Sequence, residues 1–285
     1  MDIHAAAASP AVIRRSDYRV PDWLVPDVTL DFDLDPALTT VRAKLAVARN
    51  GGHDRPLRLD GDGLVPLEVK VDGRSLTQAE WHLEAGALIL PLPDDAHEVE
   101  TLVELAPERN SKLMGLYASG GLLCTQCEAE GFRRITFFPD RPDILSRYSV
   151  RMAANKACFP ILLANGDPVE QGDGEDGRHW AIWNDPYPKP CYLFALVAGD
   201  LSCNRDRFVT MSGRDVQLGI WVKDADLPRT THAMEALKNS MAWDERVYGR
   251  EYDLNVFNIV AVADFNFGAM ENKGLNIFNS RYILA

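Results

Sequence analysis

Gly268-Ala-Met-Glu-Asn272 sets a carboxylate, Glu271, three residues after a glycine and directly behind the aromatic-rich Asp264-Phe-Asn-Phe267. A glycine at a strand end lets a ligand approach the backbone closely, and a sheet edge offers N–H and C=O groups to an extended peptide. A carboxylate beside that edge would meet a cation. Taken alone, five such residues are more often an ordinary turn. Cys124-Thr-Gln-Cys127 is a C-x-x-C. A zinc knuckle needs a second pair, and a redox motif needs a low-pKa thiol at a helix start in a βαβ setting. No second pair exists, the surroundings read as β, and Glu128 and Glu130 are expected to raise the thiol pKa, so the pair reads as structural. Gly172-Asp-Gly-Glu-Asp-Gly177 has the letters of G-x-G-x-x-G. Its three carboxylates would repel a pyrophosphate and no helix follows, so it reads as a solvated hairpin loop. None of the histidines (His4, His53, His82, His97, His179, His232) forms H-E-x-x-H. His232 and Glu235 share a helix face, but a lone pair reads as a surface contact. No metal site is expected in this chain.

Elements must position these residues, and the first two hundred residues read as β. Val41, Ala43, Leu45 and Val47 alternate onto one face with period two. Short apolar runs follow at Val65–Val71, Ala87–Leu92 and Val99–Leu105, separated by Asp60-Gly-Asp-Gly, Asp72-Gly and Pro93-Asp-Asp. Asn165-Gly-Asp predicts a hairpin between Ile161–Ala164 and Val169–Gln171. His179–Trp183 and Leu193–Ala198 read as further strands. Many short strands with even turn spacing indicate a sandwich or saddle. After Gly199-Asp200, strands are expected at Phe208–Met211 and Val216–Val222, then an amphipathic helix from Pro228 to Tyr248. Met234, Leu237, Met241 and Tyr248 share one face, and Gly249 is placed to end it. Asn255–Val262 reads as a buried strand and Leu275–Phe278 as another. A domain boundary is expected near residue 200, dividing the chain into 1–200 and 201–285.

The 285 residues, 46% hydrophobic and 25% charged, have ordinary globular composition and can bury a sizeable core. A net charge of −12 and the lack of any Lys/Arg run exclude a nucleic-acid surface, and suit cationic ligands such as peptide amino groups. The opening MDIHAAAASPAVIRRSDYRV lacks a basic segment followed by an apolar stretch, so no signal peptide is read. Tyr192–Ala198 is too short to span a bilayer. Five scattered cysteines suit a reducing compartment, and a cytoplasmic location is expected. The ending Tyr282-Ile-Leu-Ala has neither a turn signal nor a polar tail, which reads as the interior of a longer chain.

Gly268–Asn272 resembles the GAMEN exopeptidase signature of the aminopeptidase N family of gluzincins. Further blocks resemble the bacterial aminopeptidase N branch: Cys124-Thr-Gln-Cys-Glu-Ala-Glu-Gly-Phe-Arg-Arg-Ile-Thr, Tyr187-Pro-Lys-Pro-Cys-Tyr-Leu-Phe-Ala-Leu-Val-Ala-Gly-Asp, and Glu271-Asn-Lys-Gly-Leu-Asn-Ile-Phe-Asn-Ser. The resemblance runs from about residue 15 to the end. It implies a mainly β N-terminal saddle, followed by the incomplete α+β start of a thermolysin-like domain. It implies a zinc metallo-aminopeptidase acting on peptides with a free N-terminus. Glu128 and Glu271 are then the carboxylates that bind the substrate's α-amino group. Gln126 lies in the segment reaching the active site, and Gly268 and Ala269 supply backbone along which the substrate adds as a strand, with Met270 and Asn272 in the same signature. Two anions close together repel one another, and an ammonium between them relieves that repulsion.

Phe267 departs from the bacterial branch it resembles, which carries a flexible methionine there lining the first-residue pocket. H-E-x-x-H, the third zinc ligand and the oxyanion tyrosine are expected beyond Ala285, in the missing C-terminal part of the same polypeptide. The chain alone is therefore expected to bind no catalytic zinc and to be inactive. Ile259, Ile277 and Phe278 are expected to lie exposed or covered by another copy, with oligomerisation or early melting of residues 201–285, because the helices that should cover their sheet are missing. Rival readings are a non-catalytic protein-binding relative, in which both glutamates would be pointless, and an epoxide-hydrolase relative, which would carry a second glycine in place of Ala269. A thiol-redox protein is the most distant.

Overall fold

The structure, a computed structural model, describes residues 14–284, so His4 and most of the opening segment read for a leader lie outside the described residues. The chain is mainly β. Alternation along Thr39–Arg49 buries Val41, Ala43, Leu45 and Val47 together, as a half-covered strand requires. That strand lies in an eight-stranded sheet ordered Asp167–Asp173, Arg178–Lys189, Ser146–Asn155, Trp23–Leu34, Thr39–Arg49, Ala96–Leu105, Glu68–Val71, Arg74–Ser75. Its one parallel pair joins Trp23–Leu34 to Ser146–Asn155. A three-stranded sheet (Leu57–Asp60, Ala87–Leu90, His82–Glu84) and a four-stranded one (Ile161–Ala164, Leu196–Gly199, Leu122–Gln126, Gly115–Ser119) complete this part. Of the run read from Val65, only Glu68–Val71 is strand, and Val65 is exposed.

The Asn165-Gly166 corner corrects the hairpin expected there. Ile161–Ala164 pairs with Leu196–Gly199, whereas Asp167–Asp173 pairs with Arg178–Lys189 in the other sheet. The corner passes the chain from one sheet to the next. Gly166 has φ +86°, and a Cβ there would lie 2.2 Å from the Asn184 carbonyl oxygen, so only glycine fits.

From Ser202 onward the strands form a five-stranded sheet, ordered Ser202–Val209, Asp215–Val222, Val256–Val262, Leu275–Asn279, Ala269–Met270. Asp215–Val222 and Val256–Val262 are parallel, and the helix Thr231–Tyr248 is the crossover between them. The helix begins later than read from sequence, because Pro228 sits in a preceding 3-10 helix, Asp224–Arg229. Met234, Leu237 and Met241 are buried as expected, and Gly249 ends the helix at φ +62°. Tyr248 does not join that face. Trp243, Val247 and Tyr248 are all exposed, with the Trp243 and Tyr248 rings edge to face at 5.3 Å.

Both faces of this sheet are covered. Val216, Leu218, Ile220, Ile259 and Ala261 pack with the helix. On the opposite face Val260, Val262, Met270, Leu275 and Ile277 belong to the same continuous core as Leu123, Tyr117 and Phe194 of the preceding sheets. The expected exposure of Ile259 and Ile277 is thereby overturned: they are 4% and 0% exposed, and Phe278 is half-buried. The helix Thr231–Tyr248 covers Ile259, and on the other face the β part covers Ile277 in place of the missing helices.

Candidate functional site

After Val256–Val262 the chain loops through Asp264–Phe267 and re-enters the sheet as the two-residue strand Ala269–Met270. Ala269 stands opposite Phe278 and Met270 opposite Ile277. This strand is last in the sheet order, and its outer edge has no strand partner among the described residues. Period-two alternation buries Met270 in the core and leaves Ala269 and Glu271 facing solvent. The Gly268 carbonyl accepts a hydrogen bond from the Asn279 N–H at 2.9 Å. A Cβ on Gly268 would meet nothing nearer than the Tyr282 ring at 3.9 Å. Internal packing thus sets no demand for glycine there, and the space above its backbone stays open. Phe267 is 44% exposed, with its ring 6.3 Å from that of buried Phe265.

Gln126 ends the strand Leu122–Gln126, opposite Gly115, and is buried. Its Nε2 donates to the Glu128 carbonyl at 3.2 Å, which holds the turn carrying that carboxylate, while its Oε1 has no partner. The Glu128–Ala129 peptide bond is cis. The Gly131 N–H closes the turn onto the Cys127 carbonyl at 2.7 Å, and a Cβ on Gly131 would clash with the Gln126 carbonyl oxygen at 2.3 Å. Beyond it the Asp140 carboxylate accepts from the Arg133 N–H (3.0 Å), the Arg133 Nε (3.1 Å) and the Cys191 thiol (3.0 Å). Burial pushes the Cys191 thiol well up, with Asp140 adding to it, so it acts here as a neutral donor.

Side-chain bonds bring the two segments together. Tyr117 Oη and Ser119 Oγ donate to the Asp264 carbonyl and carboxylate, each at 2.9 Å. Asn266 Nδ2 donates to the Lys112 carbonyl at 3.1 Å. The loop leading into Gly268 therefore rests on the strand Gly115–Ser119, whose hairpin partner carries Gln126 and runs on to Glu128. Glu128 and Glu271 are both exposed, and neither carboxylate has a hydrogen-bonding or ion-pairing partner among the described residues. Asn272 is buried with both side-chain polar atoms unpartnered.

Other candidates resolve differently. Cys124 and Cys127 are fully buried, and the Cys124 thiol is pushed up to about 12. The cause is burial first, then Asp264 for Cys124 and Asp140 for Cys127, rather than Glu128 and Glu130. A reactive thiolate is excluded there. His232 and Glu235 are exposed on the helix. Among the described residues no group of three or more His, Cys, Asp or Glu could hold a metal ion. The hairpin loop read at 172–177 is shorter, residues 174–177, because Gly172 and Asp173 are still strand, opposite Trp180 and His179.

Sequence reasoning missed the bonds that fix this site: Asp264 with Ser119 and Tyr117, and Lys273 with Asn165 and Asp253. Asn165 Nδ2 donates to the Lys273 carbonyl at 2.8 Å, and Lys273 Nζ lies 2.7 and 2.8 Å from the Asp253 carboxylate oxygens. Asn165 did carry a signal, the Asn-Gly dipeptide, which was read only as a turn.

Residues 68–193 match the Peptidase M1 N-terminal domain, and residues 232–285 match the Peptidase family M1 domain. Aminopeptidase N of Caulobacter vibrioides is 53% identical over 97% of this chain and 32% of its own length. Aminopeptidase N of Escherichia coli is 51% identical, with the same shares. A crystal structure of Legionella pneumophila aminopeptidase A in complex with aspartic acid superposes with a TM-score of 0.91 at 35% identity, covering 95% of this chain and 32% of that one. The class is a peptidase fold opened by a β domain. The chain belongs to the peptidase M1 family, and it spans about a third of the length of the curated relatives it matches.

Proposed function

We propose that this chain forms the amino-end anchor of a zinc metallo-aminopeptidase that removes N-terminal residues from peptides. The observation that carries the reading is the free outer edge of Ala269–Met270 with exposed Glu271 next to it in sequence, on a loop tied through Asp264 to the hairpin that runs on to exposed Glu128. A peptide would add along that edge, its backbone paired with Ala269 beside the open space over Gly268. Its ammonium would lie between Glu128 and Glu271, and Phe267 would border the first side chain. Gln126, Met270 and Asn272 would hold this surface in place from below.

Zinc, when bound to the full-length enzyme, would polarise the scissile carbonyl and activate water. The residues described here do not fit a zinc site. The proposal therefore assigns the ligands and general base to sequence of the full-length polypeptide outside residues 1–285, and residues 1–285 alone are inactive. Metal analysis of the purified 285-residue chain is expected to find no stoichiometric zinc and no peptide hydrolysis; both together would overturn this part. The division near residue 200 belongs to the same proposal, supported by the single five-stranded sheet that holds every strand after it. So does a cytoplasmic location: the cysteines are free, and no helix among the described residues is long and apolar enough to cross a membrane.

The anchor is tested in the full-length enzyme with Glu128→Ala and Glu271→Ala. A desolvated hydrogen bond to a charged group contributes about 1.5–3 kcal/mol. Each variant should therefore lower kcat/KM on a free peptide roughly ten- to a hundredfold. Part of the loss should fall in kcat, because an unanchored amino end no longer holds the carbonyl in place. Discrimination against the N-acetylated peptide should shrink with it. Near-normal kcat/KM and full discrimination in both variants would refute the anchor and leave the binding-module reading.

A further inference from the structure

The segment that carries Glu271 is held at both ends by the β part. Before it, Asp264 and Asn266 are tied to Ser119, Tyr117 and Lys112. After it, the anchorage centres on Asn165, a buried side chain at the corner between two sheets. Its Nδ2 donates to the Leu193 carbonyl at 3.0 Å and the Lys273 carbonyl at 2.8 Å, and its Oδ1 accepts from the Ala195 N–H at 2.6 Å. One amide thus links the strand lead-in at Leu193–Ala195 to the carbonyl two residues past Glu271. Close packing reinforces the link: a Cβ on Gly274 would sit 3.1 Å from the Gly166 nitrogen. A second link is at the surface, where Lys273 Nζ pairs with both Asp253 oxygens and stands 4.4 Å over the Tyr187 ring.

We propose that Asn165 is a positioning residue: through the Lys273 carbonyl it sets where the Glu271 carboxylate stands beside the free strand edge, and so how the substrate's ammonium is held. This rests on the anchor reading above. An asparagine suits the task because one planar amide donates two hydrogen bonds and accepts a third in fixed geometry. Buried backbone carbonyls that lose such a donor have no water to replace it.

The test uses the full-length enzyme, with Asn165→Asp, Glu271→Ala and the double variant. Asn165→Asp keeps the size and the acceptor for Ala195 but loses both donors. Rates are read on a free peptide, and binding is read with a hydroxamate metal ligand that carries no amino group. Displacement of an orienting group by a fraction of an ångström to one ångström costs up to about a hundredfold, so kcat/KM on the free peptide should fall roughly tenfold or more. Hydroxamate affinity should not move. In the Glu271→Ala background Asn165→Asp should add little, since both changes act through one carboxylate.

Losses that multiply in the double variant, a parallel fall in hydroxamate affinity, or no loss at all would each overturn the proposal. If Asn165→Asp does not fold, Asp253→Ala loosens the same end from the exposed side. It should give the same pattern at roughly two- to fivefold, the scale of a surface pair, and its absence would count equally against the proposal. If Glu271→Ala itself costs nothing, the anchor reading fails first. If Glu271→Ala costs its expected factor and the Asn165 and Asp253 variants do not, only the positioning role fails.

Discussion

Phe267 stands where the sequence resemblance leads one to expect a methionine, and its surroundings make the proposed consequence concrete. The ring is nearly half exposed, stands directly before the open backbone of Gly268, and leans on buried Phe265. A phenylalanine turns about two bonds, and one flank of this ring is already in contact, so it cannot fold aside for a large substrate side chain. Methionine turns about three and adapts to irregular partners. Phe267→Met in the full-length enzyme is therefore expected to raise kcat/KM for large first residues relative to small ones, by roughly five- to a hundredfold. One or two methylenes of pocket space are worth about 1–3 kcal/mol. The check is the ratio of rates on peptides beginning with alanine and with a large aromatic residue. An unchanged ratio would mean that Phe267 does not border the pocket. At this scale the letters Gly268–Asn272 and Glu128 were legible because a short signature specifies residue types. The ties that hold them were not, since Asn165 and Lys273 are 108 residues apart.

Elements were legible wherever one face is buried and one is wet. Thr39–Arg49 and the helix Thr231–Tyr248 display their period in sequence because burial follows it. The errors have physical causes of their own. Asn-Gly promises a tight turn, and Gly166 does turn the chain at positive φ, but the dipeptide cannot say which partner the next strand will take. Ile161–Ala164 and Asp167–Asp173 go to different sheets, which frees the Asn165 side chain from the turn for use across the molecule. Tyr248 fits the helical stripe in spacing and is exposed all the same, because spacing names a face and not what packs against each position along it. A buried charge pair was equally invisible: Lys189 Nζ lies 3.0 Å from an Asp185 oxygen and 3.9 Å above the Tyr148 ring. Burial lowers the Lys189 pKa to about 8, and Asp185 resists that fall. Nothing in Tyr187-Pro-Lys-Pro announces such a site, because burial of a lysine is decided by what packs over it.

The whole molecule answers a question the sequence posed wrongly. The sheet after residue 200 was expected to leave Ile259, Ile277 and Phe278 bare or covered by another copy. Instead Val260, Val262, Met270, Leu275 and Ile277 share one uninterrupted core with Tyr117, Leu123 and Phe194, while the helix covers the other face through Met234, Leu237 and Met241. Stability is cooperative across elements that bury one another's apolar surface, since neither half of a shared core survives the loss of the other. Deleting the partner of an Ile277 or a Leu275 would leave side chains worth about 1.5–3 kcal/mol each in water. The 285-residue chain is therefore expected to unfold with its last sheet and its β part together. Hydrogen exchange with rising denaturant measures this directly. Amides of Val256–Val262 and Leu275–Asn279 should lose protection at the same midpoint as those of Leu122–Gln126, with which their side chains share the core. A separate, lower midpoint for the last sheet, or protection there that depends on protein concentration, would show that the shared core does not bind the two parts into one folding unit.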